Sequence, residues 1–111
     1  MYTMMQVCRE LDMTYQTLKF YCNEGLVPNV KRDHNNRRVF DEKDVKWIKD
    51  LTCLKKCGMS IQEMKKYLEL CLQGEATIVS RKKMLARKQE ELRASIKELE
   101  DSISYIGWKQ N

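Results

Sequence analysis

Residues 14–28 read TYQTLKFYCNEGLVP, and they decide how the rest of the chain is understood. A helix that serves only a core needs an apolar stripe and a polar back. Here Thr14, Gln16, Thr17 and Lys19 are interleaved with Leu18, Phe20 and Tyr21, and the run stops at Gly25-Leu26-Val27-Pro28. Thr14 suits a helix N-cap and Gly25 a helix end. Such a segment has one face for a core and a second face of hydrogen-bonding, cationic and aromatic groups. That second face needs something to touch.

The segment before it begins with Thr3 and Gln6, a T-x-x-Q capping box, and runs through MMQVCREL. Little more than Asp12 and Met13 separates the two short helices, which is the spacing of a helix-turn-helix. Downstream lies LVPNVKRDHNNRRVF. Leu26-Val27 and Val39-Phe40 are expected as strands, and Asp33-His34-Asn35-Asn36 as the turn between them. Lys31, Arg32, Arg37 and Arg38 surround that turn. A helix-turn-helix followed by a basic hairpin is a winged helix, and the N-terminal part of its second helix is where base edges are read. Thr14, Gln16 and Thr17 are short donors and acceptors suited to bases and phosphates. Lys19 neutralises phosphate. Phe20 or Tyr21 can lie against the sugar-phosphate chain, while the other must join Leu18 in the core. The wing cations fit phosphate or minor-groove contacts.

A third helix is expected over DEKDVKWIKDLTCLKKC, opened by Asp41 and Asp44 and burying Val45, Trp47, Ile48, Leu51 and Leu54. A fourth, near Ser60 to Leu72, starts with the S-x-x-E box of Ser60 and Glu63 and offers Ile61, Met64, Tyr67, Leu68 and Cys71 to a core. After Gly74 the character changes. Ile78, Leu85, Leu92, Leu99 and Ile106 recur every seven residues, with Ile96 and Ile103 in the second seam position. Lys82 and Gln89 interrupt the seam in its first half. A narrow apolar stripe on so long a helix needs a second copy of itself, so a coiled-coil homodimer is expected. The fold class is therefore mainly α: a winged helix-turn-helix domain over residues 1–73, then a dimerisation helix over residues 76–109.

Composition restricts the alternatives. The 111 residues carry 33% charged and 42% hydrophobic residues and a net charge of +5, which fits a folded chain with a polyanionic partner. No apolar run approaches the roughly 20 residues of a membrane span, and early charges argue against a secretory leader. A cytoplasmic location without membrane contact is expected, with the five cysteines as free thiols. No catalytic constellation, phosphate-binding glycine loop or cofactor motif is present. His34, the one histidine, stands in the turn without a partner motif. Cys53 and Cys57, four apart on one helix, could supply two ligands of a zinc site, but no further ligands accompany them. No metal is expected.

The order T-x-x-T-L-K-F-Y-x-x-x-G-L-V-P, then N-x-R-x-F-D, then a long C-terminal helix, resembles the MerR family of bacterial transcription regulators over about Thr3 to Trp108. The resemblance implies that Thr14 starts the recognition helix. Thr17, Lys19, Phe20 and Tyr21 then stand where the family has Thr, Arg, Tyr and Tyr, and Arg38 matches the arginine of the family's wing. It also implies an antiparallel pair of dimer helices and double-stranded promoter DNA with an overlong spacer. The activated dimer bends and untwists that DNA, which serves RNA polymerase indirectly. Several residues depart from the pattern. Lys19 and Phe20 replace Arg and Tyr, Asn36 and Arg37 replace the wing's Gly and Tyr, and Cys22 replaces a common Glu. The motif L-T-C-L-K-K-C-G-M-S resembles the thiol- and aldehyde-responsive branch, which keeps a cysteine at Cys53. Cys53 falls off the apolar stripe of its helix, whereas Cys8 and Cys71 read as core residues. An architectural winged-helix protein that senses nothing, a metal-responsive regulator and a protein-interaction module are the competing readings.

Overall fold

The computed structural model describes all residues, Met1–Asn111, as five α-helices and a small antiparallel sheet. Strand β1 (Tyr2–Thr3) leads directly into α1 (Met4–Leu11), followed by α2 (Tyr15–Asn23). The wing comprises β2 (Lys31–Arg32) and β3 (Arg38–Phe40). Then come α3 (Glu42–Lys56), α4 (Ile61–Leu72), a 3-10 turn over Gly74–Thr77, and α5 (Ile78–Lys109). Two compact units result, Met1–Leu68 and Glu69–Asn111. The division lies inside α4, upstream of the Gly74 boundary expected from composition, because the last turn of α4 is bonded to the 3-10 turn. The Thr77 hydroxyl lies against the carbonyls of Leu70 and Gly74, and Arg81 donates to both Thr77 Oγ1 and the Gly74 carbonyl.

The helix starts follow their caps. Thr3 Oγ1 accepts from the Gln6 N–H, and Gln6 Oε1 accepts in return from the Thr3 N–H. Asp41 and Asp44 form the same reciprocal pair at α3, as do Ser60 and Glu63 before α4. Each box satisfies two backbone donors that a helix end would leave unpaired. Between α1 and α2, Asp12 takes up a left-handed conformation at φ 52°, which closes the turn in two residues beyond it. Asp is among the few side chains that tolerate that region.

The first unit packs one apolar face from each element. Val7 of α1, Leu18 of α2, Leu26, Phe40 of β3, Ile48 and Leu51 of α3, Met59 in the connection that follows, and Met64 of α4 are all fully buried. Trp47 and Leu54, expected in this core, are half-buried at its margin. Leu26 and Val27 are buried but form no strand. The first arm of the hairpin is instead the polar pair Lys31–Arg32, opposite Val39 and Arg38. The sheet also has a third strand that the sequence did not announce. Tyr2 pairs with Phe40 and Thr3 with Val39, which places β3 in the middle.

No residue of α5 is buried. Along its 32 residues, about 48 Å, the heptad positions Ile78, Leu85, Leu92, Ile96, Leu99, Ile103 and Ile106 are 38–72% exposed. No helix of the chain is long and apolar enough to cross a membrane.

Candidate nucleic-acid interface

The N-terminal turn of α2 displays the side chains on which the sequence reading rests. Thr14 caps the helix, its Oγ1 accepting from the Thr17 N–H at 3.1 Å, and the two threonine hydroxyls lie 2.8 Å apart. This cross-bond fixes both hydroxyls. Gln16 and Lys19 are exposed, and neither makes a hydrogen bond or ion pair within the chain. Leu18 and Tyr21, three apart, turn inward and bury fully. The choice between the two aromatics is thereby decided. Phe20 is 45% exposed on the outer face, whereas Tyr21 is 4% exposed. Of the two aromatics named for the DNA backbone, Tyr21 is therefore the one that joins Leu18 in the core. Burial also pushes its phenol up from the usual value.

The wing is built around Asp33. Its Oδ1 accepts from the N–H groups of Asn35 and Arg37, at 2.9 and 3.0 Å. These backbone bonds, the Arg37 N–H first, hold the Asp33 carboxyl below its ordinary value. Asn36 then adopts φ 60°, the left-handed conformation that a turn residue needs here. Asn supplies it at small cost, which explains how the wing turns without glycine.

The four wing cations do not act alike. Arg38 donates from Nη2 to Asn23 Oδ1 at 2.7 Å, tying the wing to the last turn of the recognition helix. Arg32 donates to the Asn36 carbonyl at 3.0 Å across the hairpin. Arg37 extends from the turn. Lys31 turns the other way: its Nζ lies 3.0 Å from Asp41 Oδ2 and 3.6 Å from Asp44 Oδ2, at the N-terminus of α3. The bond to Asp41 raises the Lys31 ammonium above its usual value. Lys31, expected at phosphate, is in this structure engaged by two carboxylates and braces the wing against α3. The acidic first turn of α3, favoured there by the helix dipole, is what captures it.

Arg32, Arg37 and Arg38 line one groove of about 490 Å³ together with Thr3, Met4, Met5, Tyr15, Asp33 and Asn36. Tyr15, the first residue of α2, is 44% exposed in this groove. Sequence reading did not single it out, though an aromatic directly after a helix cap and pointing off the core stripe was the available signal. Asn23 was missed for a different reason. Nothing local in the sequence links it to Arg38, fifteen residues away. A half-buried thiol, Cys22, lies near Arg38 and Arg32, and burial pushes it up despite their opposing charge. Behind the groove, Trp47 Nε1 donates to the Leu26 carbonyl at 2.7 Å, fixing the corner where the chain leaves the recognition helix.

The remaining thiols divide by exposure. Cys8 is buried, Cys71 half-exposed rather than core, and Cys53 and Cys57 are both exposed. No group of three or more His, Cys, Asp or Glu side chains is placed to hold a metal ion.

Comparison with known proteins matches residues 2–71 to the profile of the MerR HTH family regulatory protein and residues 45–106 to that of MerR, DNA binding. An uncharacterized HTH-type transcriptional regulator of Haemophilus influenzae is 33% identical over 108 residues, covering 97% of this chain and 80% of that protein. The HTH-type transcriptional regulator AdhR of Bacillus subtilis is 37% identical over 87 residues, which is 78% of this chain and 62% of AdhR. The crystal structure of HiNmlR, a MerR family regulator lacking the sensor domain and bound to promoter DNA, superposes with a TM-score of 0.81 at 33% identity, covering 97% of this chain and 86% of that one. A MerR family regulator from Bacillus thuringiensis gives 0.79 at 29% identity, over 97% and 95% of the two chains.

Proposed function

The chain belongs to the MerR family of helix-turn-helix transcriptional regulators, and from that premise we propose that it binds an inverted-repeat promoter operator as a homodimer and regulates transcription by altering the bend and twist of the DNA. The observation that carries this reading is the exposed polar start of α2 beside a groove that Tyr15 lines with the wing arginines. Gln16, Lys19 and Phe20 stand exposed on the recognition helix, and Arg32, Arg37 and Arg38 line the adjoining groove with Tyr15. Thr14 and Thr17 complete the helix start. This pairs a base-reading helix with a phosphate-holding wing. HiNmlR, similar over nearly the whole chain, is bound to promoter DNA.

Dimerisation rests on α5. Its apolar stripe is unburied within the chain, and an antiparallel partner of the same kind would cover it. A two-fold dimer carries two recognition helices and so calls for a two-fold operator. RNA polymerase is served indirectly, through the altered DNA. Deformation costing a few kcal/mol lies within the reach of such an interface. This role places the protein in the cytoplasm and gives it no enzymatic activity, resident metal or cofactor.

Arg38→Ala tests the wing, and Gln16→Ala and Lys19→Ala the helix. Fluorescence anisotropy on a promoter fragment carrying an inverted repeat should show Arg38→Ala weakening every sequence, with the slope of log K against log salt shallower by about one phosphate contact. The other two should also change which sequences are preferred. Unaltered affinity and slope for Arg38→Ala would remove the wing from the interface.

We further infer that Cys53 receives a thiol-reactive signal. It is exposed, lies off the buried Val45-Ile48-Leu51 stripe, and shares its helix with Lys49, Lys55 and Lys56. In a promoter assay, Cys53→Ala should bind DNA normally and lose the response to an aldehyde, while Cys8→Ala and Cys71→Ala keep it. A full response in Cys53→Ala would refute the assignment.

A further inference from the structure

A second thiol stands beside Cys53. Cys57 is the C-cap of α3, and its N–H donates to the Cys53 carbonyl at 3.1 Å, so the helical turn between the two closes fully. Both residues are exposed, and neither is in a disulfide. Side chains four apart on a helix lie on one face with Cβ atoms about 5–6 Å apart. A disulfide needs about 3.5–4.5 Å, so these thiols cannot join directly while the turn is intact. A single thiophilic atom placed between them can span that gap.

What atom fits follows from what surrounds the pair. No third Cys, His, Asp or Glu converges on it, so the four-ligand tetrahedron of a structural zinc site is not built. A centre satisfied by two sulfur bonds is required. We propose that Cys53 and Cys57 form a chelating dithiol for trivalent arsenicals that carry one carbon substituent.

The reaction balances without an oxidant or reductant. The arsenical enters as R–As(OH)₂. Two As–O bonds break, two As–S bonds form, and each thiol proton leaves on a hydroxide as water. Arsenic stays trivalent and the product is uncharged, which suits the carbonyl end of a helix. The bridge would lock the last turn of α3 immediately before Gly58, whose φ of +86° turns the chain toward buried Met59. Cys53 alone would bind such a reagent through one reversible bond. The second thiol makes the next bond intramolecular, worth a factor of about 10² or more.

The probe is phenylarsine oxide, added to the intact chain and followed by mass spectrometry of the native protein. One phenylarsenic group per chain is expected, gained with loss of two thiol hydrogens. It should resist glutathione at concentrations about 100-fold above those that strip it from Cys53→Ser or Cys57→Ser, and it should leave with 2,3-dimercaptopropanol. Cys22→Ser and Cys71→Ser should retain the resistant adduct. Helical circular dichroism checks that each variant is folded, as expected for the exposed Cys53 and Cys57 and verified for the half-buried Cys22 and Cys71. The proposal is overturned if either single variant at Cys53 or Cys57 keeps the resistance, or if the parent chain is stripped as easily as they are. No DNA enters the measurement, so its result stands apart from the regulatory reading.

Discussion

Replacing Trp47 with Phe removes one hydrogen bond while leaving most of the ring. The indole N–H donates to the Leu26 carbonyl at 2.7 Å in a partly buried setting. Leu26 itself is fully buried, and the corner it forms joins the recognition helix to the wing. A typical hydrogen bond contributes about 0.5–1.5 kcal/mol, and stranding a partly buried carbonyl costs about 1–3 kcal/mol. A loss of about 1.5 kcal/mol is therefore expected. The unit that holds this bond comprises Met1–Leu68. For domains of this size each kcal/mol moves the melting temperature by about 4–8 °C, so a drop of about 6–12 °C follows. Thermal denaturation by circular dichroism, at one fixed chain concentration, measures it. DNA affinity well below the melting range should fall as well, because the corner that joins the recognition helix to the wing loses its bond to α3. If Trp47→Phe melts within about 2 °C of the parent and binds DNA equally, the bond does not organise the corner, and the reasoning is refuted.

Further outcomes are expected elsewhere in the chain. Leu99→Lys puts a charge on the apolar stripe of α5, and sedimentation at micromolar concentration should show a monomer where the parent is a dimer; an unchanged dimer would contradict the seam. The Asp41 carboxyl is held below its ordinary 3.8, first by the Asp44 N–H and then by Lys31. Its contribution to stability is therefore complete above about pH 4 and is lost as pH falls through the lowered value. Asp41→Asn should flatten the acid limb of a stability–pH profile, and an unaltered limb would count against the cap. Tyr2 is raised above 10.0 by its bond to Glu42, so what that bond contributes is present below pH 10 and lost above it. Tyr2→Phe should abolish that alkaline loss in the same measurement.

The helix starts were legible because caps are local: Thr3 with Gln6 and Ser60 with Glu63 form the bonds their spacing announces, and Asp41 and Asp44, read only as carboxylates favoured by the helix dipole, form a third such box. What required the third dimension was legible less often. Leu26 and Val27 have strand-like composition, yet they are buried in the corner where the Leu26 carbonyl accepts from Trp47, while the charged pair Lys31–Arg32 forms the strand. Two residues, Tyr2 and Thr3, are too few to carry a period-2 signal. Phe20 and Tyr21 could be told apart only by which one packs beside Leu18. Lys31 reads as one more wing cation until α3 brings Asp41 and Asp44 to within 4 Å of it. Arg38 and Asn23 meet through tertiary contact alone.

The pairing of β1 with β3 bears on how the chain can be expressed and shortened. Tyr2 and Thr3 serve three purposes: an outer strand of the sheet, the cap of α1, and a lining of the groove beside Arg37 and Arg38. Met4 and Met5 follow at once. A polypeptide initiated at either methionine would retain the whole recognition helix and every wing arginine, and would still lose the strand that holds β3 from its other side. An affinity tag fused ahead of Met1 would leave the molecule along the same sheet, within reach of the groove. A shortened translation product would thus be a chain with its reading residues intact and its wing unsupported.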